Sequence, residues 1–200
     1  MTNDLLLLWL AAFPLMGSPG PATMSVTAIG AAFGPRGGLR YLAGIIAGTV
    51  TVLLLIASGI TGLILAEPAL VTAITMLAAG YILYLAYRIA TAPVVATVDG
   101  ALRAPSLTSG FILAIANPKA FAAIGAVYSS HTVLAHNPLL DAMAKIAALS
   151  LVIVVVNSAW LLFGTALAPH LKHPRTGRIA NIIFAALLVA SVALTLVRSE

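Results

Sequence analysis

Apolar residues run along this chain in long blocks, broken by short clusters of charge, proline and glycine. The blocks cover roughly Leu5 to Phe33, Leu39 to Leu65, Ala69 to Arg88, Leu107 to Val133, Met143 to Leu167 and Ile179 to Val197. Each has about the 20 residues that a helix needs to cross a hydrocarbon layer about 30 Å thick. Open strands leave backbone groups unpaired in lipid, so the pattern predicts an all-α polytopic membrane protein with six transmembrane helices. The separators are Gly34-Pro35-Arg36-Gly37-Gly38, a tight turn at Glu67-Pro68, a polar linker from Thr91 to Pro105, the stretch His131 to Asp141, and a basic loop from His170 to Arg178. Asp4 is the only early charge, and the first block continues well past the apolar stretch of a signal peptide, so it reads as an uncleaved span.

Composition sharpens this picture. A hydrophobic content of 62% with 8% charged residues and a mean hydropathy of +1.11 make lipid the solvent for most of the surface, against about 25% charge in soluble domains. The net charge of +5 is no polyanion footprint, because the basic residues are scattered between apolar blocks, and nucleic acid is not an expected partner. The absence of cysteine excludes disulfides, thiolate metal sites and thiol relays. Arg36, Arg40, Arg88, Arg103, Lys172, Arg175 and Arg178 fall on one side of the six-span scheme, Lys145 and Arg198 on the other. The positive-inside rule makes the first set cytoplasmic and puts both termini outside.

The longest polar interruption divides a single transmembrane domain, 1–200, into repeat one (1–90), a linker (91–106) and repeat two (107–200). Three helices per half turn the second half upside down relative to the first, the arrangement of inverted-repeat transporters. The halves share a feature. The first span is broken at Gly17-Ser18-Pro19-Gly20-Pro21 and the fourth at Asn117-Pro118-Lys119, so both breaks open the first helix of their half.

Proline removes a backbone donor and displaces the preceding turn, so carbonyls before Pro19, Pro21 and Pro118 lose their intrahelical partners. Proline also suits the first position of a new helix, after a cap such as Asn117, Ser18 or Gly20. Each break therefore reads as a helix restarting at midplane, with free N–H groups and the positive dipole end aimed into the bundle. Lys119 lies roughly twelve residues, about 18 Å, into its span. An ammonium there costs at least about 2.5 to 3.5 kcal/mol unless paired or hydrated; a bound carboxylate is the natural partner, and backbone carbonyls or a water-filled vestibule are the structural alternative. Unwound carbonyls around Met16 and Gly17 are expected to accept from an ammonium, with hydroxyls of Ser18, Thr23 and Ser25 extending the site. Donors for carboxylate and acceptors for ammonium suit a zwitterion. Kinked packing would explain either break alone; matching breaks in two inverted halves point to a binding site. The substrate-binding set is Ser18, Pro19, Gly20, Pro21, Thr23, Asn117, Pro118 and Lys119.

Other signals carry less. Gly44 and Gly48 form a small-xxx-small pair that lets the second helix pack closely. Tyr81, Tyr84 and Tyr87 read as an interfacial belt with Arg88 as anchor. His170 and His173 sit in a basic loop without a carboxylate or thiol, and His131 and His136 read as loop residues, so no metal or other cofactor is expected. Asn157 in the fifth span is first an interhelical hydrogen bond and second a site member.

With these residues in view the chain resembles the LysE/RhtB family of bacterial amino-acid exporters. The resemblance rests on Ser18-Pro19-Gly20-Pro21, the Gly37-Gly38 turn, Gly44-x-x-x-Gly48, Gly80-Tyr81-x-x-Tyr84-x-x-Tyr87, and Gly110-Phe111 leading into Asn117-Pro118-Lys119-Ala120. It covers essentially the whole length and implies a six-helix exporter of amino acids, working by alternating access with a proton or ion as coupling partner. The expected partners are the bilayer, an amino-acid substrate, that ion, and a second copy of the chain as a candidate homodimer. Many members carry an acidic residue after the second glycine of the second span, where this chain has Thr49. Without a buried carboxylate for a cationic substrate, neutral amino acids or small zwitterions are favoured. The competing readings are a metal or organic cation exporter, disfavoured by the lack of buried carboxylates and thiols, and a non-transporting assembly subunit. An intramembrane hydrolase would need a base at depth, and all four histidines lie near loops, so no catalytic residue is expected.

Overall fold

The structure is a computed structural model that describes residues 2–59, 67–91, 105–171 and 174–197. Among the described residues it is all-helical, with seven helices: α1 (Thr2–Gly17), α2 (Pro21–Ala57), α3 (Pro68–Ala90), α4 (Leu107–Ile115), α5 (Pro118–Ser130), α6 (Pro138–Leu171) and α7 (Pro174–Val197). Five of the seven start on proline, whose fixed φ suits the first helical turn and whose missing N–H is no loss there. Side chains cap several starts. Ser106 Oγ accepts from the Ser109 N–H at 3.2 Å ahead of α4, and Asn137 Oδ1 accepts from the Leu140 N–H at 3.1 Å in the first turn of α6.

Both expected breaks are present. α1 stops at Gly17 and α2 begins at Pro21, while α4 and α5 meet at residues 116–117 with a bend of 60°. Three boundaries differ from expectation. The turn placed at Gly34 to Gly38 is a kink at Gly34 alone, whose φ of 69° lies in the left-handed region. One such residue followed by Pro35 redirects the chain, and Arg36, Gly37 and Gly38 stay helical. The basic loop placed at His170 to Arg178 is mostly helix, since α6 runs to Leu171 and α7 restarts at Pro174. Similarly, α6 begins at Pro138, five positions before the expected Met143. Most of the linker Thr91 to Pro105 lies outside the described residues, as do Lys172 and His173.

α2 and α6 are each long and apolar enough to cross a membrane, with mean hydropathies of 2.0 and 2.4 over their most apolar stretches; the bent pair α4–α5 makes a third span if counted as one. Their outward faces are apolar: Leu54 is 47% exposed, Leu139 70% and Leu162 59%, as lipid rather than water requires. α2 is the hub. It packs mainly against α6 and α4, while α3 packs on α7 and α1 on α6 and α5. Glycines set these approaches. A methyl group added at Gly44 would run into the Leu107 carbonyl, at Gly48 into the Phe111 carbonyl at 2.7 Å, and at Gly164 into the Thr27 carbonyl. The close-packing role expected of Gly44 and Gly48 is thus realised against α4. Buried Tyr41, Ile45, Leu113 and Ile82 form one core; Leu8, Ile124, Leu149 and Ile153 form another.

Asp141, placed by the sequence at the end of a separator, and Lys145, placed just inside the fifth span, are buried in the first turns of α6 and paired at 2.8 Å. Asp141 Oδ1 accepts from the N–H groups of Val133 (2.6 Å) and Leu134 (2.9 Å). Lys145 Nζ donates to the carbonyls of Tyr128 and His131, both at 3.1 Å. The pair fastens residues 131–137 onto the end of the bundle, because every polar group it buries has a partner.

The glycine contacts make a direct expectation. Gly44→Ala should lower the melting temperature of the detergent-purified protein by several degrees, as overpacking of about 1 to 3 kcal/mol does. Gly125→Ala, where the added methyl meets nothing within 4 Å, should not lower it and, by helix propensity, should raise it slightly. Equal shifts in a thermal-stability scan would show that α2 and α4 do not approach this closely.

Candidate functional site

The break between α1 and α2 leaves a run of backbone carbonyls without intrahelical donors, and other parts of the chain supply them. Ser18 bonds back to α1, its N–H to the Pro14 carbonyl at 3.0 Å and its hydroxyl to the Leu15 carbonyl at 2.9 Å. Trp160 Nε1 of α6 donates to the Gly17 carbonyl at 3.0 Å. Lys119 Nζ of α5 donates to the Ser18 carbonyl and, at 3.3 Å, to the Pro19 carbonyl. Thr23, in the first turn of α2, accepts from the Gly20 N–H at 2.9 Å and donates to the Gly20 carbonyl at 3.1 Å. The Gly17 carbonyl, expected to be open to a ligand, is therefore already engaged by a protein donor, as are the Ser18 and Pro19 carbonyls beside it.

The second break is built as its sequence predicts. Buried Asn117 caps α5, its Oδ1 accepting from the Lys119 N–H at 3.2 Å, with Pro118 in the first helical position. This cap sets the direction of α5 and so carries Lys119 from one break to the other. Gly20 makes room for it: a methyl group there would lie 2.6 Å from Lys119 Cδ. The half-buried ammonium has backbone carbonyls rather than a carboxylate as partners, which lowers the desolvation penalty of a cation in this medium.

Between the breaks lies a cavity of about 40 Å³, enough for a few water molecules. Gly20, Thr23, Asn117 and Lys119 line it together with Thr49 and Asn157. Of the residues predicted from sequence, these first four face the cavity. Ser18 and Pro19 join it through the carbonyls that hold Lys119, and Pro21 and Pro118 start the two helices whose N-termini meet there. Ser25 is buried, with its hydroxyl bonded to the Ala22 carbonyl at 2.8 Å, and is not part of the lining. Thr49 and Trp160 were not anticipated as site members, and Asn157 only weakly. Their signal was a polar or amphipathic residue inside an apolar span.

Among the described residues, Lys119 is the sole ionisable one in the lining. No group of three or more His, Asp or Glu side chains that could hold a metal occurs among the described residues. His131 is bonded locally to Ser130 Oγ (2.9 Å) and the Val127 carbonyl (3.1 Å). Tyr84 and Tyr87 are 53% and 67% exposed on α3, away from the cavity. The arrangement offers a fixed cation, two helix N-termini and uncharged polar groups, a set for binding a small anion-bearing solute rather than for making or breaking bonds.

The family model described as LysE type translocator matches residues 13–200. The cysteine/O-acetylserine efflux protein of Salmonella typhimurium is 32% identical over 177 residues, covering 86% of this chain and 87% of that protein. The protein of the same name from Escherichia coli K12 is 31% identical over 181 residues with the same coverage. No solved structure matches the chain. With that match running almost from end to end around a broken-helix cavity, this chain belongs to the LysE type translocator family, and is a membrane transport protein rather than an enzyme.

Proposed function

We propose that this protein exports small neutral amino acids, of the cysteine or O-acetylserine kind, across the bacterial inner membrane through the cavity between its two helix breaks. One observation carries the reading: the Lys119 ammonium reaches from the start of α5 to the Ser18 and Pro19 carbonyls at the cavity wall. A carboxylate is a stronger partner for that ammonium than a neutral carbonyl. Arriving substrate would exchange with the carbonyls and free the α1–α2 break to move relative to α5. The small cavity and the printed function of the relatives both favour a compact zwitterion. A cation exporter is disfavoured, because the lining holds a cation and, among the described residues, no carboxylate.

The six-span, inverted-repeat arrangement belongs to the same proposal. The spans would be α1 with the first part of α2, the rest of α2, α3, the bent pair α4–α5, α6 and α7, with 1–90 and 107–200 as the repeats. Movement of one repeat against the other would expose the cavity alternately to either side. The end of α3 at Ala90 and the start of α4 at Leu107 suit that division. Proton coupling, if it operates, would run through Lys119 rather than through a carboxylate of the lining.

Efflux from proteoliposomes tests the site. Wild type should release labelled O-acetylserine or cysteine faster than empty liposomes, and Lys119→Ala should reduce the rate roughly 10- to 100-fold, the range expected for a lost charged hydrogen bond. Asn117→Ala should reduce it as well. A wild type that moves none of a panel of amino acids under any ion gradient would remove the substrate reading and favour an assembly role.

Orientation is tested separately, because the chain lacks cysteine. Arg36→Cys and Arg178→Cys should react with an impermeant maleimide only from the cytoplasmic face, and Ser58→Cys and Ala135→Cys only from outside. If Arg36→Cys and Arg178→Cys label from opposite faces, the inverted-repeat scheme is wrong.

A further inference from the structure

The proposed transport reading accounts for the substrate carboxylate but leaves the ammonium without a receiver. The carbonyls of Gly17, Ser18 and Pro19 already hold Trp160 and Lys119. Thr23 is engaged with Gly20 on both its accepting and donating sides. Asn157 differs. It lines the same cavity, is 6% exposed, and its Oδ1 is buried without a hydrogen-bond partner.

The orientation of this amide is fixed by chemistry. Nδ2 donates to the Ile153 carbonyl at 2.8 Å; turning the amide over would set two acceptor oxygens against each other at that distance. Oδ1 must therefore be the atom directed away from the helix backbone. A buried, unpaired amide oxygen costs about 1 to 3 kcal/mol, and such groups are rare in folded proteins unless something binds them. Thr49 stands in the same lining and donates its proton to the Ile45 carbonyl at 2.7 Å. Its hydroxyl can therefore only accept a further hydrogen bond.

We propose that Asn157 Oδ1, aided by Thr49 Oγ1, receives the ammonium group of the transported amino acid, so that α6 and α2 read the amine while Lys119 reads the carboxylate. This inference rests on the transport reading of the cavity and makes Asn157 the residue that separates α-amino acids from simple carboxylates. A neutral acceptor pair also suits a substrate whose own charges cancel. A carboxylate in either place would favour an additional positive charge.

Binding to the purified protein in detergent, measured by titration calorimetry with O-acetylserine and its des-amino analogue 3-acetoxypropanoate, tests this. Wild type should prefer the amino acid. Asn157→Leu should weaken O-acetylserine roughly 10- to 100-fold, as loss of a hydrogen bond to a charged group does, and leave the analogue unchanged. Asn157→Asp should keep the preference. The melting temperature of Asn157→Leu should not fall, because the variant removes an unpaired oxygen. If Asn157→Leu keeps its preference for the amino acid, or loses both ligands equally, the assignment is overturned while the Lys119 site stands. If wild type binds neither compound, the transport reading fails and this assignment with it.

Discussion

The structure depends on satisfying backbone groups where two helices are interrupted inside an apolar protein. Proline at positions 19, 21 and 118 breaks the helical ladder, and hydrocarbon offers no water to repair it. The repair comes from donors far away in sequence. Lys119 and Trp160 reach the carbonyls of residues 17 to 19 from 100 to 143 positions away in sequence. Because these donors sit on α5 and α6, closing the break in the first half also fixes how the second half docks against it. Fold and site are therefore one construction, and the cavity is the space left between donors and acceptors.

That docking needs backbones close together, which the glycines of α2, α4 and α6 permit. The Gly44–Leu107 and Gly164–Thr27 approaches bring α2 against both neighbours and hold Thr49 and Asn157 in one lining with Lys119. Apolar side chains would not draw these helices together in lipid, since the lipid tails are equally apolar; close packing and interhelical hydrogen bonds do. The Asp141–Lys145 pair serves a different end, fastening residues 131–137 without reaching the cavity.

Much of this was legible in the chain itself. Asn117-Pro118 announced a cap and a first helical position, and both are present because each rests on local backbone geometry. The break at residues 17–21 was legible for the same reason. Boundaries were less so: a single positive φ at Gly34 does the work of a five-residue turn, and Arg175 and Arg178 are helical although their charge suggested a loop. Partners across the bundle were not legible. Lys119 was read first as awaiting a carboxylate and second as pairing with carbonyls; nothing local revealed that the Ser18 and Pro19 carbonyls are the ones within its reach. Asn157 stood out as a polar residue in an apolar run, but its direction depends on the rotation of α6, which a helix apolar on nearly every side does not encode.

The internal bond of Lys119 bears on when such a protein would act. A solute carboxylate bound at Lys119, as proposed, would compete with the two carbonyls already in place, and apparent affinity would fall below the intrinsic value by the strength of that resident contact. On the proposed reading, the empty carrier is self-occluded at ordinary solute levels and loads only when its cargo accumulates. That is the behaviour of an overflow valve: it spares the cell's working pool and vents the excess.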